Sequence, residues 1–259
     1  MLFRSFLVAK GVKEVMLIAQ DLTYYGIDLY GERQLAELLN ALADIKGLEW
    51  IRLHYAYPSG FPMEILEVMR QRDNICNYLD IPLQHISDNV LTKMRRGISR
   101  QRTEELVHKI REAVPGITLR TTLLVGHPGE TAEDHAELLD FIEKMRFDRL
   151  GVFTYSHEEN THAFGMTDDV PAELKEERNS EIMELQMEIS FEINRSKIGK
   201  TFKTLIDRFE DGAYYGRTES DSPEVDNEVI IRAEKLVVGD FYQVKITDAM
   251  EYDLVGEVV

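Results

Sequence analysis

Several short stretches of this sequence carry side chains that could hold or act on a small polar ligand. Gln20-Asp21 closes an apolar run. An amide and a carboxylate at such a point can grip an ammonium or hydroxyl group, or cap the turn that follows. Gln84-His85 comes just after Pro82, which ends strand hydrogen bonding, so both side chains should stand near the mouth of a sheet. Arg120 lies inside ITLRTTLLV, where nearly every neighbour is apolar. An unpaired buried guanidinium is strongly destabilising, so Arg120 either pairs with a carboxylate or grips an anionic ligand. The context favours the ligand. The turn Gly126-His127-Pro128-Gly129-Glu130 brings backbone amides to a helix start, where ribose hydroxyls or anions are welcome, although it is neither GxGxxG nor a Walker loop. The basic run KMRRGISRQR (93–102) offers guanidinium forks to a substrate or cofactor carboxylate, with a solvated helix face as the plainer reading. His54, His85, His127 and His157 all end apolar runs, which raises a zinc hydrolase. No HxH or HExxH pair accompanies them, and few carboxylates do, so that reading is the weaker one.

The elements that must position these residues are legible as a repeat. Five apolar runs, Val12–Asp21, Glu49–Ser59, Cys76–Asp88, Ile117–Thr131 and Arg149–Thr161, have the near-continuous character of strands buried on both faces. Between them run segments of helical period, such as Leu35, Leu38, Leu39, Leu42 and Ile45. Thr131 and Asp134 have capping-box spacing ahead of Leu138, Leu139, Ile142 and Met145. Five βα units make an α/β fold with a parallel sheet, too short for a closed eight-fold barrel, and place chemistry at the strand tips. Pro171 opens a longer helical stretch that reads as a connecting helix packed on the first domain. From Thr201 the period becomes two, broken at Asp211-Gly212, Ser222-Pro223 and Gly239-Asp240. Four or five short antiparallel strands there suggest a small closed barrel of the oligonucleotide-binding type.

Composition narrows the class further. The 259 residues carry a net charge of −17, and no stretch approaches the ~18 consecutive apolar residues of a membrane span. MLFRSFLVAK lacks the long apolar centre and cleavage site of a signal peptide. The single cysteine, Cys76, excludes an internal disulfide, fits a reducing cytoplasm and reads as a buried bystander. Residues 200–259 hold seven Lys or Arg against fourteen Asp or Glu, a balance of −7. Such a domain repels phosphate and attracts basic proteins, with plain solubility as the alternative.

VKEVMLIAQDLTYYG, LHYAYPSG, LDIPLQHISDNVLTKMRRG, LRTTLLVGHPGET and FTYSHEENT, in this order, resemble the radical S-adenosylmethionine methylthiotransferases. The tail from IGKTFKTLIDRFEDGAYYGRTESD to VVGDFYQVKITDAMEYDLVGEVV resembles that family's TRAM domain. The resemblance covers almost the whole chain. It implies a partial (β/α)6 radical-SAM-type barrel lacking its first strand over 1–168, a linker helix over 169–199 and a small all-β TRAM barrel over 200–259. It also implies S-adenosylmethionine at the barrel mouth. Gln20 and Asp21 would receive the methionine amino end, Gln84, Arg120 and the turn from Gly126 to Glu130 would line the cofactor, and Tyr155 would stand at the last strand tip.

Within the family the chain is most similar to the branch that adds a methylthio group to the β-carbon of an aspartate in the twelfth small-subunit ribosomal protein. QDLTYYG and the acidic tail suit that basic partner better than transfer RNA, the substrate of a sister branch. The family uses two [4Fe-4S] clusters, one held by CxxxCxxC and one by three further cysteines, and thiolates are the usual ligands. Neither set is present, so no catalytic residue is identifiable. The expectation is a truncated, monomeric, cytoplasmic chain that is inactive as it stands, with a non-catalytic binding module for the basic ribosomal protein as an alternative.

Overall fold

The fold is described by a computed structural model over residues 2–259. Strands β1 (Glu14–Leu17), β2 (Trp50–Leu53), β3 (Ile75–Asp80), β4 (Thr118–Val125) and β5 (Arg149–Thr154) lie side by side in chain order as one parallel sheet. All five overlap the apolar runs. Helices α1 (Leu2–Ala9), α2 (Ile27–Tyr30), α3 (Leu35–Ala43), α4 (Glu64–Gln71), α5 (Asp88–Lys93), α6 (Arg100–Ala113) and α7 (Ala132–Met145) complete the βα units. Local chemistry fixes their starts. The α7 capping box forms as spaced: Thr131 accepts from the Asp134 amide, and Asp134 accepts from the Thr131 amide at 2.9 Å. Ser99 caps α6 through the Arg102 amide.

One face of the sheet packs on the helices. Leu17, Leu53, Leu79 and Leu119 form a lateral row across four strands, and Leu39, Ile65, Val107, Ile110, Leu138 and Phe141 belong to the same core. The other face departs from the expectation of strands apolar on both sides. It carries Glu14, Arg52, Tyr78, Asp80, Arg120 and Arg149, all shielded from solvent or nearly so. Alternation is the reason: residues between the leucines point to the opposite side, and those positions are polar.

Helix α8 (Ala172–Arg195) packs along α7 and β5 and leads to β6 (Thr201–Glu210), β7 (Ala213–Thr218), β8 (Val229–Ile231), β9 (Phe241–Ala249) and β10 (Leu254–Val258). These five close into a barrel in the order β10-β8-β7-β6-β9 around Ile206, Val229, Ile231, Val244, Ile246 and Leu254. One pair, β8 with β10, is parallel; the others are antiparallel.

The barrel covers the polar face of the sheet, which is what makes burying those charges tolerable. Trp50, Cys76 and Tyr78 meet Leu205 and Phe241 in an apolar patch, with the Trp50 and Phe241 rings edge to face at 4.8 Å. Around it, the loop between β7 and β8 supplies partners. Asp221 pairs with Arg149, Asp226 accepts from the Tyr78 hydroxyl at 2.7 Å, and Ser222 meets His54 Nε2 at 2.9 Å. Arg217 bridges Glu14 at 2.9 Å and Asp207 at 2.7 Å, and Glu14 also takes Arg52 Nε at 2.9 Å. Removing one member of such a pair strands the other charge in a dry interface, which typically costs about 3–5 kcal/mol.

Candidate functional site

The tips of β3, β4 and β5 frame a hollow of about 480 Å³. Its lining includes Gln84, Met94 and Arg96 from the β3 side, Leu124 and His127 from β4, and Thr154, Tyr155 and Glu158 from β5. Gln84 is held in the left-handed region at φ 71, its amide donating to Thr122 O and its carbonyl accepting from the Leu124 amide at 2.7 Å. A non-glycine residue pinned there by two strand-like bonds is strained backbone that the β4 tip enforces. Tyr155 stands between two imidazoles. His127 lies edge-on at 5.4 Å between centroids, and the Tyr155 hydroxyl is hydrogen-bonded with His157 Nδ1 at 3.0 Å. Apolar and aromatic walls with a few convergent polar groups are what a nucleoside-sized ligand requires.

The Gly126–Glu130 turn adjoins that hollow through His127. Gly126 has φ 77, and a Cβ there would come within 2.3 Å of the Lys175 side chain, so glycine lets α8 close on the turn. Glu130 is buried and faces inward. Its Oε2 accepts from the amides of Gly126 and His127 at 2.6 and 3.2 Å, and Oε1 pairs with Arg178 at 2.8 Å. Burial pushes its carboxyl above the ordinary value against the pull of Arg178 and the two amides. Lys175, tied to Asp168 at 2.8 Å, lies 5.0 Å from the Tyr155 ring centroid. Helix α8 therefore shapes the mouth as well as connecting the domains. Lys175 and Arg178 were hidden in a run of charges at helical spacing, and only their neighbours in space reveal them.

Asp21 adopts the plainer of its two readings, accepting from the Thr23 amide at 2.9 Å and the Thr23 hydroxyl at 2.6 Å to cap a short 3₁₀ turn over Leu22–Tyr24. Its charge still reaches Arg96. Gln20 is exposed and is not among the residues lining the hollow. Arg120 corrects the expectation of a ligand grip at the mouth: it pairs with Asp80 at 3.2 Å and Asp226 at 3.3 Å. It sits near the start of β4 and points to the polar face, beside a cleft of about 170 Å³ shared with Arg149, Asp226 and Tyr252. Asp80 suffers burial, yet bonds from His54 and the Tyr55 amide, with the Arg120 charge, hold it below the usual carboxylate range.

The four histidines do not converge. Among the described residues, no group of three or more His, Cys, Asp or Glu is arranged to hold a metal ion. His85 is buried behind the mouth; its Nδ1 accepts from the Ser87 amide at 3.0 Å, and burial drives its pKa down to about 3. Cys76 is buried near the start of β3, four residues before that strand ends, and burial pushes its thiol up to about 12.

The model of the radical SAM superfamily matches residues 2–142, more than half of the chain. This chain belongs to the radical SAM superfamily. The TRAM domain model matches residues 198–259 within this superfamily member, over the closed barrel. The chain is 58% identical over 255 residues to ribosomal protein uS12 methylthiotransferase RimO of Cytophaga hutchinsonii, covering 98% of this chain and 58% of that protein. The protein of the same name from Bacteroides fragilis is 55% identical over 257 residues, 98% of this chain and 60% of its own length. The chain thus spans a little under two thirds of the length of the relatives it matches. Among solved structures, coproporphyrinogen III oxidase (HemN) from Escherichia coli, a radical SAM enzyme, superposes with a TM-score of 0.54 at 16% identity. It covers 93% of this chain and 58% of that one, a likeness of fold.

Radical SAM membership implies S-adenosylmethionine and an iron–sulfur cluster, and the residues present treat the two differently. The hollow suits the nucleotide: an aromatic face at Tyr155, an apolar wall at Leu124, the amide of Gln84, and a buried Arg96 Nε with no hydrogen-bond partner. The cluster has no such match. Cys76 is the sole cysteine of the 259 residues, its thiol is protonated by burial, and it lies toward the other end of the strand from the tips. Among the described residues, no helix is long and apolar enough to cross a membrane.

Proposed function

We propose that the hollow at the tips of β3, β4 and β5 receives S-adenosylmethionine, and that this chain forms the nucleotide-binding and substrate-docking part of a methylthiotransferase acting on an aspartate of ribosomal protein uS12. The observation that carries this reading is 58% identity over 98% of the chain to a protein of that name. When bound, the sulfonium nucleotide supplies the radical chemistry; the chain's own task is to bind, orient and exclude water. Tyr155 offers its ring to the adenine, Gln84 its amide to the ribose, and the Gly126 turn, braced by Glu130, a backbone edge. In this reading Asp21, whose charge reaches Arg96, faces the methionine amino end, while Gln20 lies outside the hollow.

The exposed acidic groups of the C-terminal barrel, among them Glu210, Asp211, Glu234, Asp248 and Glu251, suit docking of a basic ribosomal protein. Because these residues offer no thiolate set, we infer that methylthio transfer by the 259 residues alone is incomplete, and that clusters require cysteines supplied in addition. The test joins the chain to the portion of the Cytophaga hutchinsonii protein outside the aligned region, reconstitutes it with iron and sulfide, and offers uS12 and transfer RNA in competition. A methylthio group on a uS12 aspartate is the expected result. Modification of a transfer-RNA adenosine instead replaces this reading with the nucleic-acid one, and modification of neither overturns both. Titrating the chain itself with uS12 at two salt concentrations checks the docking role; no binding at low salt removes it.

A further inference from the structure

At the base, the junction of sheet, α8 and barrel leaves one space open. It is the cleft of about 170 Å³ beside Arg149, lined also by Leu150 and Gly151 of β5, Gln186 of α8, and Val225 and Tyr252 from the barrel's loops. Two atoms of its lining residues lack partners among the described residues: Arg149 Nε and Gln186 Oε1, on residues only 6% and 2% exposed. The rest of each side chain is committed. Arg149 gives Nη1 to the Asp148 carbonyl at 2.8 Å and Nη2 to Asp221 at 2.5 Å. Gln186 Nε2 donates to the Phe147 carbonyl at 2.9 Å, which fixes the amide so that its oxygen is the free acceptor. The other charged groups of the lining are engaged too: Arg120 with Asp226 at 3.3 Å, and Asp148 with the Leu119 amide at 3.0 Å.

Gly151 supplies a second, independent observation. It sits within β5, two residues after Arg149 and therefore on the same face, without the left-handed backbone that would demand glycine. A Cβ added to it would meet nothing within 4 Å apart from its chain neighbours. Glycine inside a strand weakens it and marks the close approach of another backbone or of a ligand. No backbone approaches here. A cavity of this size holds a molecule of about benzene's bulk. Leu150, Val225 and Tyr252 give it apolar walls, which together with a convergent donor and acceptor suit a small organic molecule better than water alone. With the charges already engaged, that molecule is neutral, and it must accept from Arg149 Nε while donating to Gln186 Oε1. We propose that this cleft binds a small neutral carboxamide, away from the mouth, where the ligand braces β5 and α8 against the barrel.

An NMR titration of the whole chain tests this with three probes of one shape: isobutyramide, isobutyrate, and methyl isopropyl ketone, which keeps the carbonyl but has no donor. Isobutyramide should shift the Gly151 amide and the Gln186 side-chain amide saturably, and bind at least about tenfold more tightly than either other probe. Gly151→Val, which fills the space, should lose that binding. Gln186→Met should weaken isobutyramide about tenfold while leaving the ketone unchanged. Thermal unfolding establishes that each variant folds, and the ranking of the three probes by wild type decides the matter if one does not. Equal affinities, or no saturable shift with the amide, overturn the inference and leave water as the occupant of the cleft. Isobutyramide binding that survives Gly151→Val places the ligand elsewhere and overturns it as well. The reading of the mouth stands under either result.

Discussion

The two ends of the sheet differ in how one buried arginine is treated. At its base, beneath the C-terminal barrel, each buried arginine meets a carboxylate: Arg52 with Glu14, Arg120 with Asp80 and Asp226, Arg149 with Asp221, Arg217 with Glu14 and Asp207. At the mouth, Arg96 is desolvated and meets a carbonyl and a ring but no carboxylate. A charge neutralised within the chain fastens two domains together. A charge left open has its complement elsewhere, and active sites are where such imbalance collects.

Breaking a base pair should produce the largest effect. Arg149→Met leaves Asp221 buried without its partner, and denaturant unfolding should show a loss of about 3–5 kcal/mol. The double change Arg149→Met with Asp221→Leu should recover most of that loss, since an apolar pair of similar volume needs no desolvation. Arg120→Met belongs with it: stability should fall while affinity for 5′-methylthioadenosine holds. The reverse pattern, weaker nucleoside binding at unchanged stability, would return Arg120 to the ligand role its sequence context suggested.

Acid should act next most strongly, through His85. The folded chain holds this imidazole neutral down to about pH 3, whereas an unfolded histidine takes a proton near 6.5. Below 6.5 the unfolded state therefore binds a proton that the folded state refuses. Stability falls as pH drops from 6.5 toward 3, by about 1.4 kcal/mol per pH unit for this one group. His85→Asn should flatten the stability-versus-pH curve by one proton over that window, whatever it does at neutrality. An unchanged slope would place the acid sensitivity elsewhere.

The βα repeat, the closed second barrel and the α7 capping box were all readable from period and spacing, because each is decided by neighbours close in the chain. The role of Arg120 was not. Its buried position required a partner, but Asp226 is 106 residues away in a different domain. Strand alternation placed Asp80 and Arg120 on one face without saying what would cover them. Gln84 and Tyr155 were placed at tips by the run ends and fall in one hollow, while Arg96 was lost among equally basic neighbours. Only burial distinguishes it from Arg95 beside it.

The mouth turn gives a smaller effect. Gly126→Ala forces an ordinary residue to φ 77 and drives a methyl group against Lys175, a flexible side chain that can yield. The expected loss is about 1–2 kcal/mol. Because His127 of this turn lines the hollow, nucleoside affinity should drop with it. A stability loss alone would show the turn to be scaffold.

The smallest stability change is predicted where the sequence is most charged. Arg96→Met removes one hydrogen bond to Pro82 O and a cation–ring contact, which together contribute about 1–2 kcal/mol. It also removes the cost of holding a cation half-buried with an unsatisfied Nε, a term of similar size and opposite sign. The midpoint of thermal unfolding should therefore stay close to wild type, within about 1 kcal/mol in free energy. That near-neutrality is the sharpest contrast with Arg149→Met: one guanidinium stabilises the fold, whereas the other is kept at no gain to it. If Arg96→Met unfolds the chain as readily as Arg149→Met does, the two regions obey one rule and the open charge at the mouth is structural after all.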